Sequence, residues 1–183
     1  ILDCEGREFA RSVEVKSIYA TSSEIKDKAD VAHRLAPLLG VPEATLLDRL
    51  TDEDRKFVCL KRKADPAVSD AVAALGIEGI DLVSEMKRVY PRHELAAQIL
   101  GYCGVDENGL AGLEQVYDKD IRGHKGRVIL ASDAKRRSYD SAEVAPTPGN
   151  DLQLTIDAVA QYRVEQELQK GVKQTGANWG IAI

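Results

Sequence analysis

Apolar and polar positions change period several times along the chain, and each change marks an element. Residues 3–20 alternate loosely and set β-branched Val13, Val15 and Ile18 among polar neighbours, which predicts extended structure. Ala32, Leu35, Ala36 and Leu39 then recur at helical spacing between Asp27, a suitable cap, and Gly40, a suitable stop. Pro42 opens a short helix reaching Leu50, and Arg55 to Arg62 reads as a strand. Asp65-Pro66 is a helix start with the acid as cap and proline at the first helical position. Val68, Ala71, Val72 and Leu75 line its inner face, Gly76 ends it, and Gly79 to Tyr90 returns to strand.

Beyond Pro91 the pattern predicts a helix to Leu100 that halts at Gly101, a glycine-spaced loop over 101–112, and a helix from Leu113 to Ile121. Val128–Ala131 and Ser138–Val144 read as a hairpin around Asp133-Ala134-Lys135, and 146–150 as a turn or linker. Leu152 to Ile156 reads as a strand. Asp157 caps a long helix with the stripe Ala160, Val164, Leu168 and Val172, and Trp179 to Ile183 begins another apolar strand. The fold class that follows is α+β: an extended, β-rich base with a small α+β head inserted in it. The base takes 1–20 and 91–156, the head 21–90, and 157–183 starts a further domain.

Composition narrows the function. The net charge of −5 argues against nucleic acid as the partner, because phosphate recognition needs a basic surface. Lys61-Arg62-Lys63 and Lys135-Arg136-Arg137 are the basic runs, and each reads as a solvated strand or turn face. No apolar run approaches a bilayer span. Cys4, Cys59 and Cys103 lack metal-site spacing and read as buried thiols used as small apolar residues. His33, His93 and His124 never pair at ligand spacing, so no metal and no cofactor is expected. Asp106-Glu107-Asn108-Gly109 has too few oxygen ligands for a calcium loop and reads as a tight turn.

Catalytic signals are scarce. Ser23-Glu-Ile-Lys26 and Ser132-Asp-Ala-Lys135 match the Ser-x-x-Lys pattern, in which one helical turn sets the amine beside the hydroxyl. Neither is followed by Ser-x-Asn or Lys-Thr-Gly, and Ser132 falls in the expected hairpin. No catalytic residue is assigned.

A set of matches in one order carries more weight. Residues 1–10, with Asp3 and Gly6, resemble a degraded copy of the pattern that opens class B penicillin-binding proteins, with Cys4 and Glu5 replacing its usual pair. Phe57-Val-Cys-Leu-Lys61-Arg62 resembles the family's Phe-Val-x-Leu-Lys-Arg segment. Arg88-Val-Tyr90-Pro91 with the following Ala-rich stretch resembles Arg-x-Tyr-Pro and its helix. Gly101, Gly104, Asp106, Gly109, Gly112 and Glu114 match a third motif, and Pro148 to Asp157 resembles the join to the transpeptidase domain. The chain thus resembles the non-catalytic pedestal, or dimerisation domain, of a class B penicillin-binding protein, closest to the division-specific branch.

The resemblance implies a parent anchored by one N-terminal membrane helix and projecting from the extracytoplasmic face of the bacterial cytoplasmic membrane. A C-terminal domain would carry serine-type D,D-transpeptidation of peptidoglycan. The partners implied are that transpeptidase domain, a membrane glycosyltransferase and division scaffold proteins, with a homodimer left open. Arg88 is expected to pair with Glu114 or Asp3 in one polar network joining base to head. Two rivals stand beside this reading: a stand-alone interaction module of the same fold, and an enzyme using Ser23 or Ser132.

Overall fold

A computed structural model describes residues 1–52, 56–124, 126–132 and 138–182, with backbone alone for 127–132 and 138–143. It divides into two compact units: Ser12–Lys87, called the inserted unit here, and Ile1–Arg11 with Arg88–Ile183, the split unit. The division moves the expected boundaries. Residues 12–20 belong to the inserted unit because β1 (Arg11–Thr21) is the central strand of its sheet, and 88–90 belong with the split unit.

In the inserted unit the chain runs β1, α1 (Lys28–Leu39), α2 (Glu43–Thr51), β2 (Phe57–Ala64), α3 (Pro66–Ala74) and β3 (Ile80–Val89). The sheet order is β2-β1-β3. Asp27 caps α1 by accepting from the Asp30 N–H at 3.0 Å, and Gly40, at φ 65°, returns its N–H to Ala36 O. Asp65 stands at the cap position of α3, yet its carboxylate makes no cap bond; it pairs with Lys87 Nζ at 3.3 Å. Alternation along β1 sends Ile18 and Ala20 into a core with Val31, Ala32, Leu35, Leu39, Leu46, Leu50, Val58, Leu60 and Val72.

On the other sheet face Tyr19 stacks on Phe57, with ring centroids 4.7 Å apart. A register shift between Lys16 and Ile18 leaves Ser17 to accept the Lys63 N–H at 2.8 Å, with Lys63 in the left-handed region at φ 48°. Two members of the basic run 61–63 are bonded rather than merely solvated. Lys61 Nζ donates to Leu39 O at 2.7 Å and Arg62 to Glu85 at 2.8 Å.

The split unit adds α4 (Ala97–Leu100), α5 (Gly112–Val116), α6 (Asp118–Ile121), the antiparallel pair β4 (Arg127–Ser132) and β5 (Ser138–Val144), and α7 (Ala158–Thr175). The hairpin tip at Asp133-Ala134-Lys135 and the run Lys135-Arg136-Arg137 lie outside the described residues. Ile1, Phe9, Ala10, Leu95, Ala96, Leu100 and Ala158 form its core, with Tyr90, Leu113, Leu152 and Ile156 packed on them.

Four expectations are corrected here. The helix after Pro91 is mostly turn and becomes helical only at Ala97. His93 and Ala96 take φ of 51° and 56°, and the Ala96 N–H goes to the Glu165 carboxylate at 2.9 Å. The helix 113–121 is two short helices broken at Tyr117, whose φ and ψ are −103° and 15°. Leu152–Ile156 forms no regular strand; it makes one parallel bridge, with Leu2 N–H on Leu152 O and Leu154 N–H on Leu2 O, both at 2.8 Å. Residues 179–182 are irregular rather than strand, Ile183 lies outside the described residues, and Trp179 is 75% exposed.

Candidate functional site

Two buried carboxylates organise the split unit, and both follow from the sequence placing acids among glycines. Glu114 sits in the first turn of α5, where a carboxylate is favoured by the helix dipole. Only 1% of it is exposed. Arg88 Nε donates to its Oε1 at 2.8 Å, and the Arg88 side chain is itself 15% exposed. Tyr90 OH donates to the same oxygen at 3.3 Å and accepts the Cys103 N–H at 3.1 Å. Cys103 Sγ donates to Oε2 at 3.2 Å.

Burial pushes the Cys103 thiol up to about 12, and the adjacent Glu114 carboxylate pushes in the same direction. The Tyr90 hydroxyl is driven upward by burial and by the same charge. Neither is a nucleophile at neutral pH, because the reactive thiolate or phenolate is what this environment opposes. Cys103 is therefore more than a small apolar residue: it is a donor to a buried anion.

Two glycines show how the loop 101–111 reaches this carboxylate. Gly101 has φ 76° and ψ −153°, a conformation essentially reserved for glycine, and a Cβ there would drive into the Ala111 carbonyl. A Cβ on Gly109 would collide with the Glu114 carbonyl. The Gly109 N–H donates to Asp118 Oδ1 at 2.7 Å, which pins the loop from the other side. Gly104 N–H meets Asn108 O at 2.8 Å, Asp106 is exposed in the intervening turn, and Gly112, at φ 57°, opens α5.

The second cluster lies around Asp3, which is fully buried. Its carboxylate accepts from the N–H of Glu5, Arg7 and Ala158 at 2.9, 2.8 and 3.2 Å, and from Arg7 Nε at 2.7 Å. Burial raises this carboxyl, but the hydrogen bonds outweigh it and hold the group down at about 2. Gly6, at φ 80°, makes the turn that brings Arg7 back to Asp3. Arg7 Nη2 then reaches Asp157 at 3.3 Å. Asp157 caps α7 through the N–H groups of Val159 and Ala160, and these bonds depress its carboxyl. Residues 3, 7 and 157 thus fasten the start of α7 to the N-terminal segment.

The expected network is corrected in membership and reach. Arg88 takes Glu114, while the carboxylate of Asp3 is met by Arg7. All these residues lie in the split unit, because Arg88 follows the last residue of the inserted one. Pro91 begins the turns after β3. Arg7, Cys103, Asp118 and Glu165 were not assigned to the site from sequence. The spacing Asp3-x-x-Gly6-Arg7, an acid and a base closed by a turn glycine, is the signal that marks Arg7.

Ser23 is exposed in a turn rather than on a helix, and Lys26 pairs with Glu78 at 3.6 Å. Lys135, the partner expected of Ser132, lies outside the described residues. Among the described residues no group of His, Cys, Asp and Glu could hold a metal ion, and no helix is long and apolar enough to cross a membrane.

Known proteins share this arrangement of segments. The chain is 34% identical over 186 residues to the probable peptidoglycan D,D-transpeptidase PbpC of Pseudomonas aeruginosa, covering all of this chain and 33% of that protein. It is 32% identical over 190 residues to the peptidoglycan D,D-transpeptidase FtsI of Escherichia coli, covering all of this chain and 32% of FtsI. The chain therefore spans about a third of the length of these relatives. In fold it is similar to penicillin-binding protein PBP2 of Helicobacter pylori, solved in complex with MreC. The TM-score is 0.71 at 23% identity, over 92% of this chain and 36% of that one. The family model for the penicillin-binding protein dimerisation domain matches residues 1–154. With that match running from the buried Asp3 turn to the segment that bridges it, the chain belongs to the penicillin-binding protein dimerisation domain family.

Proposed function

We propose that this chain is the non-catalytic pedestal of a peptidoglycan D,D-transpeptidase, and that its work is to hold a catalytic domain in place and to engage cell-wall synthesis partners. The observation that carries the reading is the match of the whole chain to about a third of proteins named for that activity. The site chemistry agrees with it. Its buried groups are anchored in hydrogen bonds rather than poised to react, and Cys103 is held protonated. Residues 157–183 are then the beginning of the transpeptidase domain, and Asp3, Arg7 and Asp157 are the fastening through which the pedestal fixes its first helix.

In this reading the parent is anchored in the cytoplasmic membrane with the pedestal on its outer face. Its partners are a membrane glycosyltransferase and division scaffold proteins, as the family resemblance implies; a structural neighbour, PBP2, was solved with MreC, which supports a partner-binding role. The test uses fluorescent penicillin on two proteins. The 183-residue chain is expected to stay unlabelled, while the full parent gene product is labelled. In the parent, Arg7→Ala should leave the rate of labelling in detergent unchanged and abolish complementation of a strain lacking the gene. A covalent adduct on the chain's own Ser23 or Ser132, or a parent that takes no label, would overturn the reading.

A further inference from the structure

The segment 91–100 has the sequence of a helix, yet most of it is folded as turns. Pro91 suits the first helical position, and Arg92, Leu95, Ala96, Ala97, Gln98 and Leu100 are good helix formers. The chain instead bonds three residues back, His93 N–H to Tyr90 O at 3.0 Å and Leu95 N–H to Arg92 O at 3.2 Å. His93 and Ala96 stand at φ of 51° and 56°, a region that is costly for any residue with a Cβ. A continuous helix would give the Ala96 N–H to Arg92 O, four residues back. That N–H goes to Glu165 Oε1 on α7, at 2.9 Å. Gln161, one turn earlier on α7, donates to the same oxygen at 2.8 Å and so orients the carboxylate.

We propose that 91–100 is a two-state latch, turned while Glu165 holds the Ala96 N–H and a single helix once α7 withdraws that carboxylate. A group shifts such an equilibrium only by interacting differently with the two states. Glu165 does so, because the helix would spend the Ala96 N–H on its own ladder.

Two features of α4 support the helical state. It is four residues long with no side-chain cap, and Ala96 at its N-cap is an excellent interior residue. Its start is therefore set by the bond to α7 rather than by a stop in the sequence. Helical spacing would also place Leu95 and Ile99 on one stripe. At present Leu95 is 8% exposed and Ile99 43%, so the helix would draw Ile99 toward the face that Leu95 buries. The latch lies within the split unit and does not depend on the proposed function. Under that function it gains a use: α7 opens the catalytic domain, and displacement of this helix becomes a change of shape at 91–100.

The test is nuclear magnetic resonance of the 183-residue chain, reading two signals. A left-handed residue gives a strong contact between its own amide and α protons. A helix gives contacts between an α proton and the amide three positions on. The chain itself should show the first signal at His93 and Ala96. Glu165→Ala should abolish it and bring in the second, from Arg92 to Leu95 and from His93 to Ala96. Glu165→Gln, whose amide oxygen still accepts, should keep the turn. Adding Ala96→Gly to Glu165→Ala should restore the turn at His93, because glycine takes the left-handed region freely and disfavours helix. A turn retained in Glu165→Ala, loss of both signals in that variant, or a helix that persists in the double variant would each overturn the proposal.

Discussion

The two units are held together by different physics. Among the described residues the inserted unit buries thirteen apolar residues in one cluster, while the split unit buries seven and adds two fully enclosed carboxylates, Asp3 and Glu114. In the first, the driving force is removal of apolar surface from water, which is non-directional and tolerates small rearrangements. In the second, directional bonds close long stretches of chain: Arg88 to Glu114 across 26 positions, and Ala158 to Asp3 across 155. A buried ion pair adds little net stability over an apolar substitute, yet losing one partner strands the other. The split unit should therefore be exacting about residue identity and the inserted unit about residue volume.

The largest effect should come from breaking the polar contrast. Glu114→Ala removes the acceptor shared by Arg88, Tyr90 and Cys103, and should cost about 3–5 kcal/mol in urea unfolding. The Cys103 thiol should react with iodoacetamide faster than in the wild type, having lost the carboxylate that adds to the effect of burial, while burial still holds it above its ordinary value. A loss within experimental error of zero would mean that the apolar cluster around Phe9 and Leu100 holds the split unit unaided.

In the inserted unit the matching experiment is Leu35→Ala. Leu35 is fully buried between helices and sheet, so the cavity and lost transfer energy together should cost about 2–5 kcal/mol. Hydrogen exchange should report faster opening of amides in 12–87 and little change around Glu114. Equal acceleration throughout would mean that the units unfold as one, and the contrast between them would have no thermodynamic content.

Acid separates the units next. The Asp3 carboxyl lies at about 2 in the folded chain against an ordinary value near 4. A depressed acid contributes stability that is present above the unfolded value and lost as pH falls through the folded one. Between about pH 4 and 2 the split unit should therefore weaken, followed by the fluorescence of Tyr90 and its neighbours. Asp3→Asn should be less stable at neutral pH and flatter across that window. An unchanged acid limb in the variant would remove Asp3 from the account.

What was legible in the sequence was local. Asp27 with Gly40, and Asp157 before its stripe, state the ends of α1 and α7 within one turn of chain, so caps and stops could be read directly. The family pattern carried the loop glycines and left Arg88 with two candidate partners, Glu114 and Asp3, since polar residues among glycines stand out without any structure; the choice between them was not legible. What failed depended on distant groups. The Ala-rich stretch after Pro91 has helical propensity, but Glu165, 69 positions away, takes the Ala96 N–H, and His93 and Ala96 turn left-handed. Propensity is a weak prior against such a tertiary bond. Likewise Asp65 had the right place for a cap, but Lys87 on β3 claimed its carboxylate. The extended segment at 152–156 was read as a strand because nothing local reveals that its neighbour is one short turn around Leu2.

The smallest expected effect has the opposite sign to that of Asp3, which makes it a sharp check on the comparison. His33 on α1 meets Glu43, the first residue of α2, with 2.9 Å between Nδ1 and Oε2. The hydrogen bond and charge of Glu43 raise the imidazole above its ordinary value. A raised base contributes stability that is full below the unfolded value, about 6.5, and is lost as pH rises through the folded one. Acidification from alkaline pH toward 6 should thus tighten the α1–α2 corner of the inserted unit slightly. Over that range the split unit's Asp3 stays ionised. Glu43→Gln also loses a favourable carboxylate at the α2 N-terminus, a loss that does not depend on the charge of His33. The informative quantity is therefore the difference in thermal midpoint between wild type and variant, taken at pH 5.5 and again at pH 9. It should be larger at the lower pH. Both groups are exposed, so added salt should shrink the pH-dependent part. A difference that is the same at both pH values would leave His33 a bystander, and the inserted unit would owe its corner to Leu39, Leu46 and Leu50 alone.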